Sequence, residues 1–524
     1  MLIKRFGILF IIIICGLLLT VSASANNITV NNVELKNLLQ VSPTAEIEFD
    51  ISWEKSWRYG DNFYDAAWIF AKYSVDNSDW NHATISSTTS VGSGTGLSID
   101  ISTDNKGALL YRSAADFGTL STTAIQLQWN RQSDGVAYNA AKIEIRIFAI
   151  EMVYITQGSF YVGDTNNSGT NCFFRADGTY VKDEALGPYQ ITSEDAITVG
   201  TANGNLYYDD DNTYDGDGAG PIPAAFPKGY NDFYVMKYEI SQGQYCDFLN
   251  TLTQSEQNIR TADTLTAEDA SGHYVMIGEN ITAVTYRQAI KAGPDPADGQ
   301  PYSFGCDLDE DGILNEANDG EWIACNYLSI MDLMAYADWA GLRPITELEF
   351  EKAARGPSAV VDDEYAWGST TIETATSSLA NAGAANEAAN QGNLNYASCS
   401  PDGPYRCGIY ADSSSSRQNA GASFYGVMEL SGSLWERPVT VGNATGRGFV
   451  GTHGDGALSS GYANNSDWPG YSGSVNSSAT GSGFRGGNWS SGSSYARVSD
   501  RNYAALTNTF RNVSYGGRLV RTSP

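Results

Sequence analysis

Leu342-Arg-Pro-Ile-Thr-Glu-Leu-Glu-Phe-Glu-Lys-Ala-Ala-Arg-Gly356 carries the clearest local structure signal in the chain. The Thr346 hydroxyl can accept from the amide three residues on, while Glu349 returns a bond to the Thr346 amide; this is a capping box. Gly356 supplies the stop, because glycine enters the left-handed region without a Cβ penalty. A short helix is therefore predicted between them. Two more are predicted upstream. Ser241 to Leu252 has an apolar stripe at Tyr245, Phe248 and Leu249, and Ser329 to Ala340 carries Met331, Met334, Ala335 and Ala337 to Trp339. Beyond Gly356 the helical period ends, and the chain becomes Gly, Ser, Asn and aromatic residues in loops and short strands. Loops that long inside a compact domain are usually functional or held by ions.

Residues 28 to 150 read differently. Ala45-Glu-Ile-Glu-Phe-Asp-Ile-Ser-Trp53 and Lys142-Ile-Glu-Ile-Arg-Ile-Phe148 alternate with period two, and Ala66 to Tyr73 and Ala124 to Trp129 lie between them. Short strands without helical pattern predict an all-β, immunoglobulin-like sandwich over 26–150, serving as spacer or docking module. A second region opens at Glu151-Met-Val-Tyr-Ile-Thr-Gln-Gly-Ser-Phe-Tyr-Val-Gly163 and runs to 524, so the whole reads as α+β. Its early part, 164 to 220, is polar; Asp209-Asp-Asp-Asn212 with Asp215 and Asp217 reads as a solvated loop.

Lys4 and Arg5, the apolar run Phe6 to Leu19, and Ala23-Ser24-Ala25 together predict a cleaved secretory leader over 1–25. The protein is thus expected outside the cytoplasm: periplasmic, cell-surface or secreted, with no transmembrane segment once mature. A net charge of −29 argues against nucleic acid as a partner. Of seven cysteines, one is Cys15 in the leader, and the others are Cys172, Cys246, Cys306, Cys325, Cys399 and Cys407. An even number in an exported chain permits disulfides, and Cys399 and Cys407, bracketing Pro-Asp-Gly-Pro, are the expected pair. With only His82, His273 and His453, a zinc or non-haem iron site is not expected.

Five motifs then fall in order: Tyr234-Val-Met-Lys-Tyr-Glu-Ile-Ser-Gln-Gly-Gln-Tyr245, Arg343 to Gly356, Tyr365-Ala-Trp-Gly368, Gly426-Val-Met-Glu-Leu-Ser-Gly-Ser-Leu-Trp-Glu436 and Arg485-Gly-Gly-Asn-Trp489. Their order resembles the formylglycine-generating-enzyme, or sulfatase-modifying-factor, family. The resemblance covers about 151–524 and implies a C-type-lectin-like α+β domain, often calcium-bound. In the family's oxidases two cysteines follow the last motif and hold copper; the matching positions here are Ser491 and Ala496. Soft thiolates are what copper(I) selects, so neither copper nor oxidase chemistry is expected.

The tail further resembles the variable proteins of diversity-generating retroelements, through Gly451-Thr-His-Gly-Asp-Gly456, Trp468-Pro-Gly470, Gly483 to Trp489, Ala496-Arg-Val-Ser-Asp-Arg501 and Gly516-Gly-Arg-Leu-Val-Arg521. In such systems template adenines are randomised. Randomised Asn codons exclude Lys, Glu, Gln, Met and Trp, none of which occurs from Ser490 to Pro524. The resemblance places a variable region at about 485–521. It marks Ser490, Ser491, Ser493, Ser494, Tyr495, Asn502, Tyr503, Leu506, Asn508, Phe510, Asn512, Val513, Ser514 and Tyr515 as a binding face for a protein or surface ligand. Its Tyr, Ser and Asn content follows paratope logic: large contact area at low entropy cost beside adaptable hydrogen bonds. Trp489, Arg485, Arg501, Arg518 and Arg521 are expected to be framework.

Two calcium sites are expected. Asp307, Asp309 and Asp311 occupy positions 1, 3 and 5 of an EF-hand-like loop, with Gly312 at the turn, the Ile313 carbonyl at 7, Asn315 at 9 and Asn318 at 12. The family resemblance implies another at Glu429, the carbonyls of Gly432 and Leu434, and Glu436. The expected function is an exported, non-catalytic ligand-binding protein; its rivals are a formylglycine-generating type of oxidase and a structural cell-envelope protein.

Overall fold

The computed structural model describes residues 27–524 except 38–41, 78, 139, 141, 166–170, 179–186, 210–213, 266–269, 298, 376–377 and 413. The leader expected at 1–25 lies outside the described residues. Among them, no helix is long and apolar enough to cross a membrane.

The N-terminal part holds nine strands: β1 Thr29–Lys36, β2 Ala45–Arg58, β3 Asp65–Val75, β4 Asn81–His82, β5 Ile85–Gly94, β6 Leu97–Ile101, β7 Ala108–Arg112, β8 Asp116–Trp129 and β9 Ile143–Ile155. One sheet has the order β1-β2-β8-β5. The other runs β6-β7-β3-β9 and does not stop there. It continues through Phe233–Met236 and Leu519–Thr522 to Arg343–Pro344. The expected strands are present, but their second sheet is shared with the C-terminal part.

Alternation along β3 shows what this sharing does. Ala67, Ile69 and Ala71 pack with Ile47, Phe49, Leu127 and Trp129 of the first sheet. Ala66, Trp68 and Phe70 point the other way, into a core with Phe148, Ile150, Leu333, Trp339 and Leu342. A strand covered on both faces reads as a continuous apolar run, which is how Ala66-Ala-Trp-Ile-Phe-Ala reads. Each large side chain so buried contributes about 1.5–3 kcal/mol. Position 150, the division suggested by sequence, falls inside β9. There Asp65 of β3, Glu151 of β9 and Lys237 form a buried ionic rivet, with the Lys237 ammonium 3.0 Å from Glu151 and 3.6 Å from Asp65.

The three expected helices are α1 Gln242–Leu249, α3 Ile330–Trp339 and α4 Glu347–Arg355; α2 Gln254–Arg260 adds a fourth. All four begin at a capping box, on Ser241, Thr253, Ser329 and Thr346. Gly356 ends α4 at φ 65°, where a Cβ would strike the Phe424 ring at 2.4 Å. Of the acidic stretch expected as a solvated loop, Asp210 to Asn212 lie outside the described residues and Asp217 is exposed, but Asp209 and Asp215 are buried. Asp215 accepts from the Asn171 amide at 2.9 Å, and Asp217 pairs with Arg447 at 2.7 Å.

Candidate functional site

The tail is mounted on helix α4. Arg501 Nε lies 2.8 Å from Glu347 Oε2, and Arg485 Nη2 pairs with Glu351. Arg485 Nη1 also donates to the carbonyls of Val498 at 3.0 Å and Asp500 at 2.5 Å. Arg518 Nε reaches Glu436 at 2.7 Å, and Arg521 Nη2 reaches Asp104 at 2.5 Å while its guanidinium covers Trp68. All four arginines are buried. Buried charges persist only when paired, and the planar arginine fork suits carboxylates and carbonyls at once. Burial pushes the Glu347 carboxyl up, but Arg501 and Arg485 outweigh it and hold the group below its ordinary value. Trp489, also buried, donates its indole N–H to the Val513 carbonyl at 3.1 Å.

On this mount a 3-10 turn over Ser493–Ala496 presents Tyr495. Tyr495 stacks on Tyr503 with ring centroids 5.6 Å apart, and Trp435 stands edge-on to both at 6.0 and 5.7 Å. Phe484 packs against Tyr515 at 4.7 Å, under the Arg437 guanidinium, which lies 3.9 Å over its ring. Arg437 Nη2 donates to the Asn508 carbonyl at 2.6 Å. Ser490, Ser494, Asn512 and Phe510 are exposed, Phe510 by 74%. Ser491, Ser493, Tyr495, Asn502, Tyr503, Leu506, Asn508, Val513 and Tyr515 are half-buried. Ser514 is a correction: it is buried, its hydroxyl donates to Asn512 Oδ1 at 2.9 Å, and its carbonyl accepts from the Trp435 amide. Trp435, Phe484 and Arg437 belong to the same constellation, although the sequence reading did not select them. Trp435 falls inside the Glu429–Glu436 segment, which sequence marks for calcium.

Ser491 and Ala496, where the resemblance would put the oxidases' thiols, are both engaged locally. The Asn488 amide donates to Ser491 Oγ at 2.6 Å, and Ala496 is buried beside Tyr365, Trp367 and Leu394. The expected Cys399–Cys407 disulfide is not formed. The Cys399 thiol contacts the Leu394 carbonyl at 3.2 Å, and that of Cys407 the Glu239 carbonyl at 3.6 Å. The two sit in different apolar clusters, Cys407 with Tyr238 and Leu434 and Cys399 with Tyr405 and Ile409. Burial pushes the thiols of Cys325, Cys399 and Cys407 up, which disfavours the reactive thiolate.

Among the described residues, acidic groups gather at three places. Carboxylate oxygens of Asp307, Asp309 and Asp311 lie within 4.8 Å of one another, as do those of Asp164, Asp362 and Asp363. Asp164 is committed to Ser499 Oγ at 2.8 Å and to the amides of Thr165 and Asp363. In the first loop Asn315 and Asn318 are turned to other work: Asn315 Oδ1 accepts from the Cys306 amide at 3.0 Å, and the Asn318 amide donates to Asp309 Oδ2 at 2.6 Å. The exposed Ile313 donates its N–H to Asp311 at 2.8 Å.

The third place surrounds Glu429 and Glu436, joined by Glu239. Glu429 Oε1 accepts from the Gly408 amide at 2.7 Å and Glu239 Oε1 from the Leu434 amide at 2.9 Å. Glu239 and Glu436 are buried and Glu429 is half-buried, and each leaves its Oε2 without a partner. Burial pushes the carboxyls of Glu429 and Glu436 up to about 7, and burial plus the charge of Glu436 pushes that of Glu239 well above its ordinary value. Three acids face Arg518 and Arg406, and the oxygens left over are hard donors of the kind a divalent cation takes. Gly432 and Leu434 lie in the same segment, with Gly432 at φ 85° where only glycine is at ease.

The sulfatase-modifying factor enzyme 1-like domain family matches residues 189–523, a span that contains α1 to α4 and the tail face. No curated protein matches the chain. The chain belongs to the sulfatase-modifying factor enzyme 1-like family, whose domain has the C-type-lectin-like fold.

Proposed function

We propose that this protein is an exported, non-catalytic binding protein that holds a protein or surface ligand on the tail face between about 485 and 521. The Tyr495, Tyr503 and Trp435 cluster carries the reading: two tyrosine rings half-open to solvent stand against a buried tryptophan, seated on a buried arginine framework. Rigid aromatics over a fixed mount bind with little entropy lost, and the exposed Ser490, Ser494 and Asn512 around them tolerate exchange. That contrast between fixed base and replaceable surface is what a diversity-generating retroelement's variable protein requires. Calcium at Glu429 and Glu436, with Glu239 and the carbonyls of Gly432 and Leu434, serves structure. The N-terminal strands act as an immunoglobulin-like spacer. Ser491 and Ala496, which supply no thiol, support a binding role over an oxidase.

The test is the DNA beside the gene. A near-copy of the segment encoding Arg485 to Arg521, differing at adenines and accompanied by a reverse transcriptase gene, is expected. Absence of both would remove diversification. Copper-dependent turnover of a cysteine-containing sulfatase peptide would overturn the non-catalytic reading.

A further inference from the structure

Two amide side chains clamp α1 and α2 to the segment that ends at Cys306. Asn250, the C-cap of α1, donates its Nδ2 to the Phe304 carbonyl at 2.9 Å and accepts from the Phe304 amide at 2.8 Å. Gln257 of α2 holds Tyr302 in the same way, at 2.9 Å in each direction. These clamps set α1, which carries Cys246, against the antiparallel pair Ile290–Ala292 and Phe304–Cys306. Across that contact the sulfurs of Cys246 and Cys306 lie 4.0 Å apart.

Both residues are buried and share one apolar core with Tyr245, Phe248, Ile290 and Cys325. Cys325 is a third thiol of that core, but its sulfur is taken up elsewhere, between Gln288 Nε2 at 3.9 Å and the Asn326 carbonyl at 3.7 Å. The two facing thiols are not equally placed. Cys246 lines a cleft of about 720 Å³ together with Asp247, Asn250, Phe304 and Trp322, whereas Cys306 is fully enclosed. Contact with Cys246, then burial, push the Cys306 thiol well above its ordinary value. A disulfide reagent entering the cleft therefore meets Cys246 first.

We propose that Cys246 and Cys306 are joined as a disulfide, with Cys246 as the entry thiol and a small or protein-borne disulfide as the oxidant. Cys246 loses its proton to solvent, and its thiolate attacks one sulfur of the oxidant. A mixed disulfide forms, and the oxidant's other half leaves as a thiolate. Cys306 then gives up its proton and attacks the Cys246 sulfur, which forms the bridge and releases the second half. Two protein thiols are oxidised, and one disulfide is reduced to two thiols. The remaining approach, from 4.0 Å to a bond of about 2.05 Å, is short beside the 60 positions of chain that the bridge closes. Closing a loop of that length removes much of the freedom of the unfolded chain. The proposal rests on the reading of the protein as exported, because such bonds persist outside a reducing cytoplasm.

The experiment is a disulfide map of the full chain. Protein purified in reductant is exposed to oxidised glutathione, unfolded in guanidinium with N-ethylmaleimide to block free thiols, and digested without reduction for mass spectrometry. A peptide pair joined through Cys246 and Cys306 is expected, with Cys325, Cys399 and Cys407 alkylated. Cys306→Ser is expected to trap a glutathione adduct on Cys246, while Cys246→Ser leaves Cys306 unmodified. Reduced protein should melt about 4 °C below the bridged form, and reductant should leave the melting of Cys246→Ser/Cys306→Ser unchanged. Alkylation of both cysteines after oxidation would overturn the pair, as would a bridge from either one to Cys325. An adduct on Cys306 in place of Cys246 would overturn the order of attack. The same map on protein recovered outside the cells that make it tests export separately. Free thiols there, beside a bridge formed with glutathione in vitro, would leave the pairing standing and overturn the export reading.

Discussion

Arg501 grips Glu347 with Nε 2.8 Å from Oε2, and neither side chain has any solvent exposure. One residue belongs to the tail and the other to the first turn of α4, so this contact ties the face to the best-defined helix in the chain. Replacing Arg501 by Leu leaves Glu347 charged, buried and half-partnered, at a cost of about 3–5 kcal/mol. The denaturant midpoint of Arg501→Leu should fall accordingly, and adding Glu347→Leu should recover much of the loss. Equal midpoints for single and double variants would show that the pair is not the anchor.

The face itself should tolerate change where it is exposed. Phe510→Ser is expected to shift stability by no more than about 0.5 kcal/mol, because the ring is 74% exposed. Trp435→Ala removes the ring that stands against Tyr495, Tyr503 and Phe484, and should cost about 3–5 kcal/mol. Thermal melts of the two variants check both numbers.

Glu429 and Glu436 titrate near 7 in the fold against an ordinary value of 4.5. A carboxyl raised on folding stabilises the native state below its unfolded value, and that contribution is lost as pH rises through the folded value. Each ionisation costs on the order of 3 kcal/mol by the free energy per pH unit. Without metal, then, the melting temperature should fall between about pH 5 and pH 8. Calcium should restore it at pH 8 and do little at pH 5, and Glu429→Gln should flatten the profile. A calcium effect independent of pH would argue against the cluster.

Thiol reactivity offers a separate check. Iodoacetamide should label Cys325, Cys399 and Cys407 slowly in the native protein, and rapidly once guanidinium unfolds it. Rapid native labelling of Cys399 or Cys407 would contradict their burial.

Local signals were legible from sequence wherever one segment contained them whole. The box at Thr346 and Glu349, the stop at Gly356 and the alternation in β2 are complete within a few residues. The box at Thr253 and Glu256 is equally local, yet it caps a polar helix without an apolar stripe and was passed over. What escaped was distant pairing. Glu239 joins Glu429 and Glu436 only because the chain folds back past Leu434, and Trp435 joins the tyrosines for the same reason. The role of Asn318 depended on which way its amide turned, which spacing does not encode. Likewise, β9 reads as the end of one region and the start of another because both readings are partly true.

That strand makes the two parts of the molecule a single mechanical piece. β9 is laddered to β3 along its length and to Phe233–Met236 over its last third, and Leu519–Thr522, the exit of the tail, lies one strand further on. A pull on the N-terminal end therefore loads these ladders in shear, with many hydrogen bonds sharing the force, where a linker would let the parts swivel. Whatever fastens that end also sets the angle at which the tyrosines face outward. The sheet thus carries the tail as a rigid handle carries a tool, its direction fixed by the ladders.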